Sequence, residues 1–442
     1  MLTRRSFLSS AATVVAATAQ PVTGRPNVLL VNTDDQRFDT IAALGNKEIH
    51  TPTLDALVGR GFCFRNFYSQ GGMVPAMCLP SRTMLMTGRT VFRIPDRNTP
   101  LPPDLPLLPK AFSAAGYHTY HLGKRGNTYL PASEAFDTKR YSLEPQGNDV
   151  EARANEPERL ADQVIEWMRE DRGGKPFLIY LAPGTPHDPR VAPKRFLDLY
   201  DPAKLTLPPN FMPEHPFDNG DLRIRDEMLA PHPRTPEEMR RHLAEYYAAI
   251  SCFDFHLGRI LRALRDSGLE GNTIVVFTSD QGLAVGGRHG LMGKQNLYEH
   301  FKSPLIFAGP GIRKGSTDAL AQMHDLFPTL CGLTGVHLPK GVEGLSLTPV
   351  IAGRQKKVRD SVFGVYRDVQ RMVREERWKL IWYPKIGRFQ LFDVVDDPWE
   401  LNDRSGDAKF AGRLASMKQR LAEQQDRFGD TAVGRPAAIL GK

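Results

Sequence analysis

Two adjacent carboxylates, Asp34-Asp35, follow the apolar run Asn27–Asn32, and Asp280-Gln281 follow a second such run, Thr273–Thr278. An imidazole, His187, comes after a third, Pro176–Ala182. Ligands of open α/β sheets sit beyond the carboxyl ends of the strands, so these three strand ends describe one rim of carboxylate, amide and imidazole groups. Each acid alone would read as a turn or cap residue after a strand. As a set they read differently, because neighbouring carboxylates repel and are costly to bury unless a cation lies among them. Oxygen donors from Asp34, Asp35, Asp280 and the Gln281 amide suit a hard divalent ion, Ca²⁺ ahead of Mg²⁺.

The string Cys78-Leu79-Pro80-Ser81-Arg82 is the sharpest signal. With four cysteines in the chain, a C-x-P-S-R string is expected about 10⁻³ times by chance. As a bare thiol, Cys78 is either a nucleophile or an inert core residue. The others, Cys63, Cys252 and Cys331, read as small buried hydrophobes, too few and too scattered for a disulfide framework or a CxxC metal site.

The elements that must position these groups are short apolar runs with the length of buried parallel strands: the three above and Pro304–Ala308. Helical patterns alternate with them. The clearest spans Thr235 to Gly268, with Thr235 as N-cap, Pro236 at N1, Glu238 completing a T-x-x-E box and Gly268 as the stop. This alternation predicts a doubly wound α/β domain with a mostly parallel sheet flanked by helices. The character changes near residues 340–360. Val362–Tyr366, Trp378–Tyr383 and Gln390–Phe392 then read as short strands before a charged helix, Ala408 to Arg427. The expected organisation is residues 25–355 as the large domain and 356–442 as a small C-terminal α+β domain. Its basic stretch Arg371–Lys379 reads as a solvated strand edge.

Residues 1–24 stand apart. Thr3-Arg4-Arg5-Ser6-Phe7-Leu8 precedes a weakly apolar stretch that ends in Ala17-Thr18-Ala19. Paired arginines, a modest apolar region and an A-x-A end describe a twin-arginine signal, which predicts export to the periplasm or beyond the cell. The 442 residues carry 38 Gly and 35 Pro, so loops are many and long. No apolar run reaches the 18–20 or so residues of a membrane span. The formal charge of +8 is spread thinly, with no basic run interleaved with aromatics, which disfavours nucleic acid as a partner.

With these residues in view, the chain resembles the formylglycine-dependent sulfatases. The shared motifs start at Pro26-Asn27-Val28, Asp34-Asp35 and C-L-P-S-R, then take in Thr87-Gly88-Arg89, Gly123-Lys124 and Pro186-His187. They continue through Ser279-Asp280-Gln281-Gly282, His289-Gly290, Gly293-Lys294, Tyr298-Glu299 and Pro304-Leu305. Leu391-Phe392-Asp393 and Asp397-Pro398-Trp399-Glu400 resemble the family's C-terminal domain. The resemblance implies an alkaline-phosphatase-like fold and hydrolysis of a sulfated small molecule or glycan. It further implies that Cys78 is oxidised to formylglycine by a formylglycine-generating enzyme and hydrated to a diol on the metal. One hydroxyl would attack sulfur in line, the alcohol would leave, and loss of the second hydroxyl's proton would break the C–O bond and free sulfate.

By the same resemblance, Asp34, Asp35, Cys78, Asp280 and Gln281 form the metal set. Lys124 and Lys294 hold sulfate oxygens, Arg82 anchors the Cys78 turn and the metal-bound carboxylates, and His187 serves the leaving oxygen. Two positions depart from the family pattern. Gly126 stands where G-K-x-H has a histidine, leaving His121 or His289 as substitutes, and Gln281 stands where Asn or His is usual. Two other functions remain open on this scaffold: a phosphodiesterase or phosphonate monoester hydrolase, and a sulfated-glycan binder without turnover. The loops Thr99–Pro109 and Pro183–Arg234 are candidate pocket walls, with Arg190, Arg223 and Arg225 as candidate contacts for further anionic groups, a pattern that favours sulfated carbohydrate.

Overall fold

The computed structural model describes residues 24–141 and 149–436; Arg4-Arg5 and the Ala17-Thr18-Ala19 end lie outside them. The strands in chain order are β1 (Asn27–Thr33), β2 (Phe62–Tyr68), β3 (Gly71–Gly72), β4 (His118–Gly123), β5 (Thr138–Tyr141), β6 (Phe177–Ala182), β7 (Thr273–Ser279), β8 (Lys302–Ser303), β9 (Leu305–Ala308), β10 (Gly315–Gln322), β11 (Val362–Tyr366), β12 (Gln370–Arg374), β13 (Trp378–Tyr383) and β14 (Arg388–Asp393). Among the described residues they form a nine-stranded sheet in the order β10-β2-β9-β7-β1-β6-β4-β5, with β8 beside β2, and a five-stranded sheet in the order β14-β13-β12-β11-β3.

The central strands β1, β6 and β7 are buried throughout and mutually parallel, as their unbroken apolar runs require. Alternate residues feed opposite cores. Val28, Leu30, Leu178, Tyr180, Ile274 and Val276 face α2 (Cys78–Thr87) and α5 (Leu326–Thr334). Leu29, Val31, Ile179, Leu181, Val275 and Phe277 face α1 (Pro52–Arg60), α3 (Glu156–Arg169) and α4 (Pro236–Asp266). Trimming one such residue, as in Leu29→Ala, would cost about 2–5 kcal/mol through lost transfer energy and an unfilled cavity. In α4 the Thr235 side chain accepts the Glu238 N–H at 3.3 Å, the expected cap.

Two expectations need correction. The apolar run Pro304–Ala308 predicts a parallel strand, but β9 runs antiparallel to both β7 and β2. The chain between β7 and β9 contains no crossover helix, so it leaves and re-enters the sheet at the same rim. The stretch Arg371–Lys379 is not a solvated edge. It includes β12, which is central in the small sheet, and Arg371, Arg374 and Lys379 are all buried. Arg371 pairs with Asp430, Lys379 Nζ lies 2.8 Å from Glu400 Oε1, and Arg374 Nη1 donates to Asn66 Oδ1 at 2.8 Å. Charge predicted exposure here, and partners distant in the chain reversed it.

The small sheet is covered by α6 (Ala411–Phe428) through Met417, Leu421 and Phe428. Its edge is completed by β3, which pairs in parallel with β11 just upstream of Cys78. Gly71 sits at φ +84°, and a Cβ there would lie 1.9 Å from the Val365 carbonyl oxygen. A Cβ on Gly72 would lie 2.6 Å from the Pro80 ring. Glycine is therefore required at both positions to lay the Cys78 turn against the second sheet.

Candidate active site

Asp34 and Asp35 leave β1 at the rim, and Asp35 takes a left-handed conformation, φ +67°, uncommon for a non-glycine residue but favoured by Asp and Asn. That bend lets the Asp35 N–H donate to Asp280 Oδ1 at 2.9 Å, across two residues 245 apart in sequence. Cys78 is the first residue of α2, and its thiol lies 3.2 Å from Asp34 Oδ1 and 3.6 Å from Asp35 Oδ1. Gln281 Nε2 and Lys294 Nζ each donate to Sγ at 3.1 Å. Burial, then the charges of Asp280, Asp34 and Asp35, push the thiol well above its ordinary range. Cys78 is therefore a neutral thiol in these surroundings and not an activated thiolate.

The cations are set by the carboxylates. Arg82 is fully buried on the first turns of α2, donating from Nε to Asp280 Oδ2 at 3.0 Å with Nη2 3.4 Å from Asp34 Oδ2. Ser81 Oγ donates to the Asp280 carbonyl at 2.6 Å. Lys124 Nζ donates to Asp34 Oδ2 at 2.7 Å, and Lys294 Nζ to Asp35 Oδ2 at 2.9 Å. Burial alone would raise the Asp34 carboxyl, but Lys124 and Arg82 hold it well below the usual range. Asp280 goes the other way, pushed up to about 7 by burial and by Asp34. His187 Nε2 is 3.7 Å from Asp35 Oδ2 while Nδ1 lies 2.8 Å from the Asp188 carbonyl, and burial followed by Lys294 lowers its pKa.

The ligand atoms of Asp34, Asp35, Cys78 and His187 lie within 4.8 Å of one another. Asp280 joins through the Asp35 backbone and Arg82. The Gln281 Oε1 is buried without a hydrogen-bond partner, an oxygen left for a ligand. Three carboxylates and an orphaned amide oxygen fit a hard cation. Asp34, Asp35 and Asp280 are matched by Arg82, Lys124 and Lys294, so a divalent ion would leave the site net positive and suited to an anion.

Residues 26–336 match the family model described as Sulfatase. The chain belongs to the sulfatase family. Residues 287–427 match a second model, described as the C-terminal region of N-sulphoglucosamine sulphohydrolase. This sulfatase is 26% identical to the N-acetylglucosamine-6-O-sulfatase of Bacteroides thetaiotaomicron, the alignment covering 99% of this chain and 93% of that protein. It is 27% identical to an ulvan-active sulfatase of Formosa agariphila, over 91% of this chain and 82% of that one. A solved structure with bound D-glucosamine-2-N,6-O-disulfate superposes with a TM-score of 0.77 at 22% identity, covering 92% of this chain and 99% of that chain. The phosphonate monoester hydrolase of Agrobacterium radiobacter gives 0.77 at 21% identity, with coverages of 91% and 96%; both likenesses are of fold. The family makes the protein a sulfuric ester hydrolase.

All nine site residues expected of a sulfatase converge, but the two substitute histidines do not. His121 is buried between Phe136 and Tyr180, and burial takes its pKa down to about 3. His289 stacks on Tyr298 and lies 3.2 Å from Glu299 Oε2. The residue that does reach the site is Asn127, one step past Gly126, whose Nδ2 donates to Asp34 Oδ2 at 3.2 Å. Only its adjacency to Gly123-Lys124 could have flagged it. Of the arginines expected to meet substrate, Arg225 is engaged with Asp188 and Asp226 instead. Arg190 is buried over the Tyr246 ring, and Arg223 is exposed.

Proposed function

We propose that this sulfatase hydrolyses sulfate esters of carbohydrates, with Cys78 matured to formylglycine by a formylglycine-generating enzyme. The observation that carries the reading is the placement of Cys78. Its sulfur meets Asp34, Gln281 and Lys294 at 3.1–3.2 Å, while its burial keeps the thiol protonated and unfit to attack. The matured residue supplies the oxygen nucleophile. Asp34, Asp35, Asp280 and Gln281 would hold a divalent cation, Ca²⁺ ahead of Mg²⁺, whose chemistry when bound is to draw charge from the sulfate oxygens.

The protein's own groups would do the rest. Lys124 and Lys294 neutralise the remaining sulfate charge as it builds in the transition state, from positions already fixed on Asp34 and Asp35. Arg82 keeps Asp34 and Asp280 in place beneath the Cys78 turn. His187 donates from Nδ1 to the Asp188 carbonyl, so Nε2 is the atom left for the leaving oxygen, and it would serve as a donor there once a bound sulfate anion brings the ring its second proton. Sulfated carbohydrate as substrate is supported by the named activities of the relatives.

Export through the twin-arginine route, to the periplasm or beyond, belongs to the same reading and is supported by Arg4-Arg5 and the A-x-A end. No helix among the described residues is long and apolar enough to cross a membrane. Cell fractionation of the wild type against an Arg4→Lys, Arg5→Lys variant tests it.

A second reading, phosphonate monoester or phosphodiester hydrolysis, draws on the equal fold likeness to such an enzyme. The deciding experiment is peptide mass spectrometry across Cys78 after coexpression with a formylglycine-generating enzyme, followed by matched sulfate, phosphonate and phosphodiester substrates. An aldehyde at position 78 with fastest turnover of sulfate esters is expected. Faster turnover of the phosphorus esters would select the second reading, and saturable glycan binding without sulfate release would mark a binder.

A further inference from the structure

We propose that Glu227, buttressed by Arg234, is a positioning residue that sets Lys294 against Asp35 and Cys78; this rests on the sulfatase reading of Lys294. Glu227 belongs to none of the motifs above and touches neither Cys78 nor the paired aspartates. It lies in the long segment after β6, fully buried, and spends both carboxylate oxygens on one piece of backbone. Oε2 accepts the Met292 N–H and Oε1 accepts the Gly293 N–H, each at 2.9 Å. Arg234, also buried, donates from Nη2 to Oε2 at 2.9 Å and to the Glu227 carbonyl at 2.7 Å.

A buried carboxylate is expensive unless paired and hydrogen-bonded, and here Arg234 supplies the pairing while both oxygens are directed at the N–H groups of the two residues that precede Lys294. Gly293 is part of the device. A Cβ on it would lie 2.9 Å from Glu227 Oε1 and 2.4 Å from Gln295 Oε1, so no side chain fits inside the clasp. The other flank of Lys294 is held from the adjacent residue of the same segment: Gln295 Nε2 donates to Asp226 Oδ2 at 2.8 Å, and Gln295 Oε1 accepts the Lys294 N–H at 2.9 Å. Asp226 and Glu227 thus grip the chain on both sides of the lysine. A lysine ends in a mobile four-carbon stem, so delivering Nζ to 2.9 Å from Asp35 Oδ2 depends on where the backbone starts it.

The test is a double-mutant cycle on the converted enzyme with 4-nitrophenyl sulfate and phenyl sulfate, using Glu227→Gln, Lys294→Ala and the pair. Glu227→Gln should lower kcat about tenfold to a hundredfold with a smaller change in KM, by the same factor on both esters, because Lys294 acts on sulfate and not on the leaving group. In the Lys294→Ala background the same change should cost almost nothing. Full activity in Glu227→Gln, or losses that simply multiply, would overturn the proposal. A second readout needs no turnover and uses the unconverted protein. Amide hydrogen exchange at Met292 and Gly293 should speed up in Glu227→Gln and, to a smaller extent, in Glu227→Asp, which keeps the charge for Arg234 but is too short to span both N–H groups. Unchanged exchange in both variants would reject the clasp whether or not the enzyme proves to be a sulfatase, and inactivity on every ester with exchange altered as expected would fault the functional reading alone.

Discussion

Asn127 Nδ2 donates to Asp34 Oδ2 at 3.2 Å, on the same oxygen that Lys124 Nζ reaches at 2.7 Å. Two neighbouring donors from the loop after β4 therefore orient one carboxylate of the proposed metal set, and the amide does so one residue past Gly126, the position at which the sequence resemblance implies a histidine. Asn127→Ala removes a hydrogen bond to a charged group, an effect of about 1.5–3 kcal/mol. It should lower kcat/KM by about tenfold or more by freeing the Asp34 carboxylate, and because Asn127 is half-buried its cost in stability should fall at or below the lower end of that range. Steady-state kinetics of the converted enzyme checks this, and an unchanged kcat/KM would remove Asn127 from the site.

Cation binding should be visible without catalysis. Because Asp34, Asp35 and Asp280 meet in one buried cluster, a divalent ion that binds only the folded state stabilises it by about 2.7 kcal/mol at a hundredfold excess over its Kd. Thermal unfolding of chelator-treated protein should shift upward on adding Ca²⁺, and less on adding Mg²⁺. Asp280→Asn should blunt the shift. A melting temperature indifferent to both ions would refute the donor set.

His187 should matter in proportion to how badly the leaving group needs help. For a sugar sulfate the departing alkoxide is strongly basic, and losing a positioned proton donor costs about 10²–10⁴-fold. For a nitrophenyl sulfate the loss in His187→Ala should be much smaller. Rates on the two substrate types give the ratio directly, and equal losses would mean that His187 acts on sulfate binding instead.

His121 makes the fold acid-sensitive. Burial, aided by the charges of Arg82 and Lys139, takes its pKa from 6.5 to about 3 in the folded state. Between those values the unfolded chain binds a proton that the folded chain refuses. The stabilisation is therefore complete above pH 6.5 or so and is lost as the pH falls towards about 3. His121→Phe, set among Phe136 and Tyr180, should reduce the drop in unfolding free energy between pH about 6.5 and about 4.5 by about 2 kcal/mol. Urea unfolding at the two pH values measures it; an identical drop in both proteins would show that His121 is not held neutral.

The candidate site residues were legible because their signals are local. Cys78 and Arg82 share one helical turn, Asp34 and Asp35 are neighbours, Lys124, Asp280 and Lys294 sit beside glycines or at strand ends that mark a rim, and His187 follows the end of β6 by five residues. The central strands were legible for the same reason, since a strand buried on both faces is an unbroken apolar run whatever its neighbours. Strands without such a run, β2 with Arg65 and Asn66 or β10 with its polar first half, carry no such signal.

What only the tertiary structure decided is which distant groups meet. The direction of β9, the pairing of Arg371 with Asp430 and Lys379 with Glu400, and the reach of Asn127 to Asp34 all depend on contacts between residues far apart or on a loop's exact course. The Glu227 clasp on Met292 and Gly293 spans more than sixty residues and leaves no periodicity to read. By itself the sequence determined the fold class, the family and the candidate site residues, because propensity and motif act over a few residues. Whether a charge is exposed or buried, and which carboxylate orients which cation, depends on electrostatic partners that folding alone brings within 3 Å or so.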